Sequence, residues 1–153
     1  MKRLFAVVAI TGLAAAGTHA ASAAQQSAAQ SAGAGGGPVT RSVWDGVYTL
    51  AQARRGALKS GLCVECHGDG FLGGPAPELA GPAFASSWNG RTVGDLFDLI
   101  RLTMPDDDPG ALSREVYADL VAYILAVNKY PAGATEVGTD SSVLKLIRIE
   151  PKP

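Results

Sequence analysis

The sequence predicts a small all-α domain, because three segments show the apolar spacing and the capping residues of amphipathic helices. A long loop rich in glycine and proline separates the first of these helices from the second. At 153 residues, with 47% apolar and 18% charged residues, the chain has the size and composition of one globular domain with additional segments. The formal net charge of −1 does not suggest a nucleic-acid-binding protein.

The N-terminus has the pattern of a secretory signal peptide. Lys2 and Arg3 precede an apolar run, and the small residues 21–23 form an A-x-A cleavage site. The apolar run is too short for a comfortable membrane anchor. We therefore expect residues 1–23 to be cleaved and the mature chain to have no membrane span. Residues 24–41 consist mainly of Ala, Gln, Ser and Gly, a composition that predicts a flexible linker.

Three helices are expected in the region 42–137, which we assign to the folded domain. The first begins after Thr49, where Thr49 and Gln52 have the spacing of a capping box, and Gly61 is its expected end. Its apolar positions are Leu50, Ala53, Ala57 and Leu58. Gly56 lies inside this helix, where glycine is unfavourable, and so indicates a close crossing with another helix.

The second and third helices follow the glycine- and proline-rich loop over residues 67–90. The second begins after Thr92 and ends at Met104, because Pro105 disfavours helical backbone in the residue before it. Its apolar face consists of Val93, Leu96, Phe97 and Ile100. The third begins after Ser113. Its buried face is expected to consist of Val116, Tyr117, Leu120, Val121, Ile124 and Val127.

The C-terminal segment 138–153 extends beyond the third helix. It contains the run VLKLIRIE, whose composition favours a short strand or a segment that lies along the domain surface. Docking onto a partner protein is one hypothesis for its role.

Cys63, Cys66 and His67 form a C-x-x-C-H sequence, the attachment signature of a c-type haem. Two thiols at this spacing can form thioethers with the two vinyl groups of one porphyrin, and the adjacent imidazole then reaches the iron. A thioredoxin-like redox pair would need a βαβ context, and a zinc site would need further Cys or His ligands. A disulfide between the two cysteines is possible in an oxidising compartment but gives His67 no role. The sequence therefore predicts one covalent haem c with His67 as an iron ligand.

The second axial ligand is identified by elimination. His19 and Met1 lie within the expected signal peptide, so His67 is the only remaining histidine and Met104 the only remaining methionine. Methionine is one of the residue types that complete the coordination of haem iron, and it raises the reduction potential. Met104 is therefore the expected distal ligand; the alternative is a methionine that fills a gap in the core. Without this ligand, an open iron would indicate a gas sensor or a weak peroxidase.

From about residue 43 to residue 137, the sequence resembles the class I c-type cytochromes. The resemblance rests on the glycine-containing helix before C-x-x-C-H, the Gly/Pro loop, the Met-Pro pair and a C-terminal helix rich in apolar and aromatic residues. It implies a small cytochrome c-like helical domain wrapped round one covalent haem. It also implies that Gly56 and Tyr123 lie where the first and last helices cross.

The resemblance assigns further residues to the haem pocket. The family's P-x-L-x-G motif is matched here, which implies that Pro77 accepts a hydrogen bond from the His67 ring and that Leu79 packs on the haem. Trp88 and Arg91 are candidates for hydrogen bonds to the haem propionates. The alternative is a core tryptophan and a surface arginine.

Three stretches are similar to the small cytochromes that serve periplasmic quinoprotein dehydrogenases as partners or subunits: GVYTLAQARRG, MPDDDPGALS and ADLVAYILAVN. This similarity implies a periplasmic electron carrier, not itself an enzyme, that passes electrons from a dehydrogenase to a downstream oxidase or cytochrome. The alternative is a tightly bound subunit of a dehydrogenase complex. Asp106, Asp107 and Asp108 follow the expected iron ligand and form either an acidic rim for a basic partner or a solvated loop.

Overall fold

The computed structural model describes residues 40–153, so the expected signal peptide and most of the expected linker lie outside the described residues. Arg41, the last residue of that linker, is already part of a strand. The helices are α1 (Leu50–Lys59), α2 (Gly61–His67), α3 (Gly81–Trp88), α4 (Val93–Thr103), α5 (Arg114–Val127) and α6 (Ser141–Leu144). Two short parallel strands, β1 (Arg41–Ser42) and β2 (Ile147–Arg148), complete the fold. The predicted all-α class is confirmed.

The central contact of the domain is the crossing of α1 and α5. A Cβ atom built on Gly56 would lie 2.0 Å from the Asp119 carbonyl oxygen and 2.8 Å from the Cβ of Tyr123. The crossing that the family resemblance implied at Gly56 and Tyr123 is therefore present. Only glycine allows the two backbones to approach this closely.

Helix α1 buries a different face from the one that the sequence suggested. Gln52 and Ala53 face the core beside the crossing glycine, whereas Leu50, Ala57 and Leu58 are exposed. Leu58 is the extreme case, with 87% of its surface accessible. Of the four predicted apolar positions only Ala53 is buried, because Gly56 and Gln52, not the leucines, lie on the side of α1 that meets α5 and the segment around Val137.

The predicted capping box of α1 is half correct. The Thr49 hydroxyl accepts a hydrogen bond from the Gln52 N–H at 3.1 Å, as a capping residue does. The Gln52 side chain, however, donates to the Val137 carbonyl at 2.9 Å and accepts from the Val137 N–H at 2.7 Å. Nearby, the Arg55 guanidinium binds the Glu136 carboxylate at 2.8 Å. These bonds hold the two residues that directly precede the C-terminal segment, Glu136 and Val137, against α1.

Two helices lie where the sequence suggested a helix end and a loop. Gly61 begins α2 instead of simply ending α1, and α2 carries the C-x-x-C-H sequence. The expected loop over residues 67–90 gives way to α3, which has Pro82 in its first turn. Proline is favoured there because its missing N–H would have no helical partner.

Helices α4 and α5 form as predicted. Thr92 and Asp95 make a reciprocal capping box at the start of α4, and the Ser113 hydroxyl caps α5. The largest fully buried side chains of these helices are Leu96, Phe97, Tyr117 and Leu125. Among residues 40–153, no helix has the length and apolar character that crossing a membrane requires.

The C-terminal segment 138–153 is folded onto the domain. Helix α6 packs against α4, and β2 pairs with β1. The Ile149 N–H donates to the Arg91 carbonyl at 2.9 Å. Leu144, Ile147 and Ile149 are buried. The segment is therefore a layer of the fold that covers α4.

Candidate haem site

Helix α2 carries the two cysteines on one side. Cys63 and Cys66 are three residues apart, a spacing that makes helical side chains neighbours. Both thiols are free. Cys66 is exposed and Cys63 is half-buried; burial, together with the nearby Cys66, raises the pKa of the Cys63 thiol. Neither thiol is locked in a disulfide, so both have the chemical form that thioether formation needs.

The His67 ring is oriented by a backbone carbonyl. Its Nδ1 atom lies 2.6 Å from the Pro77 carbonyl oxygen. Because a carbonyl can only accept, Nδ1 carries the proton, and Nε2 of the neutral ring keeps a lone pair. This tautomer binds a metal ion through Nε2. The hydrogen bond that the family resemblance implied is thus present, at a histidine that is only 7% exposed.

The loop before Pro77 folds back tightly against the end of α2. The Gly73 N–H donates to the His67 carbonyl at 2.8 Å. Gly68 has a φ of +75°, and a Cβ atom on it would lie 2.1 Å from the Gly73 carbonyl oxygen. Any larger residue at Gly68 would push the loop away from the helix, and with it the carbonyl that holds the histidine ring.

Phe71 is a residue of this site that the sequence analysis missed. Its ring lies edge-on to His67, with 6.5 Å between centroids, and 5.3 Å from the ring of Tyr123. Its carbonyl accepts hydrogen bonds from the N–H groups of Leu79 and Ala80 at 2.9 and 3.1 Å. A φ of +64° is costly for a bulky residue. These contacts hold Phe71 in that conformation, and no local sequence pattern signals it.

Asn128 is a second residue that the sequence analysis missed. It follows α5, and its side-chain NH₂ group donates to the Leu79 carbonyl at 2.8 Å. Its side-chain oxygen accepts from the Gly81 N–H at 3.0 Å. One amide therefore fixes the end of the P-x-L-x-G segment. Leu79 itself is half-buried against the core, and its contact with a haem stays a prediction.

Met104 is placed by a different part of the fold, at the C-terminal end of α4. It is half-buried, and its N–H donates to the Ile100 carbonyl at 2.9 Å. Its carbonyl oxygen accepts a 2.7 Å hydrogen bond from the Tyr117 hydroxyl. The three aspartates that follow, Asp106–Asp108, are exposed. The role of Met104 as an iron ligand stays a prediction.

Trp88 and Arg91 lie side by side. Trp88 is buried and stacks on Phe84, with 6.0 Å between ring centroids. The Arg91 guanidinium lies 4.1 Å from the indole centroid, within the range of a cation–π contact. This arrangement matches the alternative of a core tryptophan with a surface arginine. Hydrogen bonds from either residue to haem propionates stay a prediction.

The donor groups fit a c-type haem. They comprise two free thiols on one side of a helix, an imidazole with an accepting Nε2 atom, and a half-buried thioether. Across residues 40–153, no three His, Cys, Asp or Glu side chains form a group that could hold a metal ion. The two described strands have two residues each, so the same range holds no βαβ unit of the thioredoxin type.

Comparison with known proteins identifies one family. Residues 50–124 match the model of the family described as "Cytochrome C oxidase, cbb3-type, subunit III". No curated protein and no solved structure gives a match. The matched range begins with α1, includes the C-x-x-C-H helix and Met104, and ends within α5.

Proposed function

We propose that the protein carries single electrons on one covalent haem held by Cys63, Cys66, His67 and Met104, because residues 50–124 match a cytochrome c family model and fit a class I c-type cytochrome. The observation that carries this proposal is the hydrogen bond from His67 to Pro77 at the end of the C-x-x-C-H helix. When bound, the haem supplies a one-electron redox centre.

Each of these four side chains would have a different role in binding the haem. The Cys63 and Cys66 thiols attach it to α2. His67 offers Nε2, and the bond from Nδ1 to the Pro77 carbonyl fixes the tautomer and the orientation of the ring. The Met104 thioether is a softer donor that favours the reduced metal and so raises the reduction potential. With two protein ligands in place, small molecules are kept from the metal, and electron transfer needs little rearrangement.

Met104→Ala tests the ligand assignment, with Leu102→Ala as its matched control. Leu102 is an exposed residue of the same helix, two positions earlier. Both variants are produced with haem in a host that matures c-type cytochromes. We expect Met104→Ala to lose the ferric methionine-to-iron charge-transfer absorption and to lower the reduction potential by on the order of 0.2 V, a fraction of the ~0.8 V span that axial ligands control. Leu102→Ala keeps both properties.

Carbon monoxide separates the carrier from an open-site sensor or peroxidase. The reduced wild-type protein should bind carbon monoxide slowly and incompletely at neutral pH, and Met104→Ala should bind it rapidly and fully. Rapid, full binding by the wild type, or an unchanged spectrum in Met104→Ala, contradicts the assignment of Met104. In that case the open-site function becomes the better explanation.

We propose that the mature protein acts in the periplasm, between a dehydrogenase and a downstream oxidase or cytochrome. The support is the signal-peptide pattern of residues 1–23 and the similarity to cytochromes that serve periplasmic dehydrogenases. A denaturing gel of the periplasmic fraction, stained for haem, should show a band whose N-terminus lies just after this segment. Colourless protein with both thiols free would contradict covalent attachment itself.

A stable subunit of a larger redox complex is the second candidate. It is favoured by the matched family, whose name describes an oxidase subunit. Deletion of residues 138–153 cannot test this candidate, because that segment contributes buried side chains to the domain. Size-exclusion chromatography of a native extract, with detection of the haem, can test it. A free carrier elutes at the size of the monomer, whereas a subunit elutes together with dehydrogenase or oxidase activity.

A further inference from the structure

Tyr117 joins the two ends of the loop that begins with Met104. Its hydroxyl donates a 2.7 Å hydrogen bond to the Met104 carbonyl and accepts a 3.3 Å hydrogen bond from the Leu112 N–H. The loop between these two residues runs over the surface, and Asp106 to Ala111 are all exposed. One buried hydroxyl therefore fastens both ends of an otherwise exposed loop.

The side chain that carries this hydroxyl is fixed by the core. Tyr117 lies near the start of α5 and has no exposed surface. Helix α5 is in turn capped by Ser113, which follows the loop directly. The tyrosine ring thus has a constant position from which its hydroxyl can hold the loop.

We propose that Tyr117 is a positioning residue that keeps the Met104 sulfur on the haem iron. This inference rests on the proposed function, because it needs Met104 to be a ligand. A thioether is a weak donor, so its occupancy depends on how strongly the protein favours the loop conformation that presents it. The two hydrogen bonds of Tyr117 stabilise that conformation relative to open ones, in which another molecule takes the position of the sulfur.

Tyr117→Phe removes the hydroxyl and keeps the ring that fills the core. The Met104 carbonyl then retains only the longer hydrogen bond from the Gly110 N–H, at 3.4 Å, and the Leu112 N–H loses its acceptor. Loss of such buried bonds should make loop opening roughly tenfold easier. Imidazole competes with the methionine for ferric haem, so its affinity should rise by about the same factor.

Tyr48→Phe is a closely matched control. Tyr48 is also a buried tyrosine, and its hydroxyl also donates a 2.7 Å hydrogen bond to a backbone carbonyl, that of Tyr130. Neither Tyr48 nor Tyr130 belongs to the loop between Met104 and Leu112. Both substitutions should lower the thermal stability of the protein, Tyr117→Phe by more because it loses two hydrogen bonds and Tyr48→Phe one, and only Tyr117→Phe should change the competition at the iron.

The experiment measures imidazole affinity, the ferric charge-transfer absorption and the thermal midpoint for wild type, both variants and Met104→Ala, all loaded with haem. The expected result is about tenfold tighter imidazole binding in Tyr117→Phe and unchanged binding in Tyr48→Phe. Equal imidazole affinities in the two tyrosine variants overturn the inference while leaving Met104 as a ligand. If wild type already binds imidazole as Met104→Ala does, the proposed function fails as well.

A second measurement covers the case in which Tyr117→Phe gives no folded protein. Because ligand exchange and loop opening are coupled, imidazole bound to wild type should speed hydrogen exchange at the Leu112 amide. The Gly133 amide, which donates to the Tyr48 carbonyl at 2.7 Å, serves as the control and should not change. Unchanged exchange at Leu112 overturns the inference.

Discussion

Gly56→Ala is the substitution whose effect the structure defines most sharply. Gly56 lies at the crossing of α1 and α5, and the added Cβ would be 2.0 Å from the Asp119 carbonyl oxygen and 2.6 Å from the carbonyl carbon. Both are backbone atoms of a helix, so no side-chain rotation relieves the overlap. The helices would have to separate by about 1 Å before the contact became tolerable.

Opposing effects determine how much this substitution changes the free energy of unfolding. Alanine is a better helix former than glycine by about 1 kcal/mol, which favours the variant. Forcing an extra methyl group into a packed site costs about 1–3 kcal/mol and occasionally more. The separation also stretches the ion pair between Arg55 and Asp119, which are 2.9 Å apart across the crossing. Because backbone must move, we expect a net loss of about 3 kcal/mol in the free energy of unfolding.

Gly61→Ala provides the control for the assay. Gly61 begins α2, and no atom lies within 4 Å of the position that its Cβ would occupy. Urea unfolding of the haem-loaded proteins should show Gly61→Ala to be as stable as wild type or up to about 1 kcal/mol more stable. If Gly56→Ala proved equally stable, the close approach of the two helices and the reasoning built on it would be wrong.

The remaining predictions concern the C-terminal segment and its dependence on pH. Ile149→Ala, at a fully buried position, should lower the free energy of unfolding by about 3 kcal/mol in urea titrations, whereas Val143→Ala, at a position 56% exposed, should change it by less than about 0.5 kcal/mol. The hydrogen bond from Ser141, followed by Lys145, lowers the pKa of Asp98, so this carboxylate stabilises the fold above its unfolded pKa of about 4 and stops doing so as pH falls through the folded pKa. Asp98→Asn should therefore be less stable than wild type at pH 7, and the difference should shrink in urea titrations near pH 3; a constant difference would contradict this assignment.

The elements that could be predicted were those defined by local signals. Helices α4 and α5 have capping residues, Thr92 and Ser113, directly before an apolar face of helical period. Only Ala53 of the predicted face of α1 is buried, because burial there is decided by the partner helix, whose backbone leaves no room for a Cβ at Gly56. Gln52 also shows that a contact distant in sequence can override a local pattern. Its spacing from Thr49 suggested a local cap, but its side chain bonds to Val137, 85 residues away.

In the candidate site, too, some residues could be predicted from the sequence and others could not. The C-x-x-C-H sequence and the single methionine after residue 1, Met104, are visible in the chain, and the Pro77 contact could be inferred by family resemblance. Phe71, Tyr117 and Asn128 could not be assigned to the site, because their contacts with it depend on the tertiary fold. The hydroxyl of Tyr117, for example, reaches a carbonyl 13 residues earlier, at the end of another helix.

The C-terminal segment packs on α4, the helix that ends directly before the proposed ligand Met104. This helix packs against both α5 and α6. Asp98, in the middle of α4, receives a hydrogen bond from the Ser141 hydroxyl and lies 3.4 Å from the Lys145 ammonium group. Because Met104 directly follows α4, these contacts also hold the helix from which the Met104 loop extends. The segment therefore has a structural role as a packed layer of the domain, and docking of a partner onto its outer surface stays a prediction.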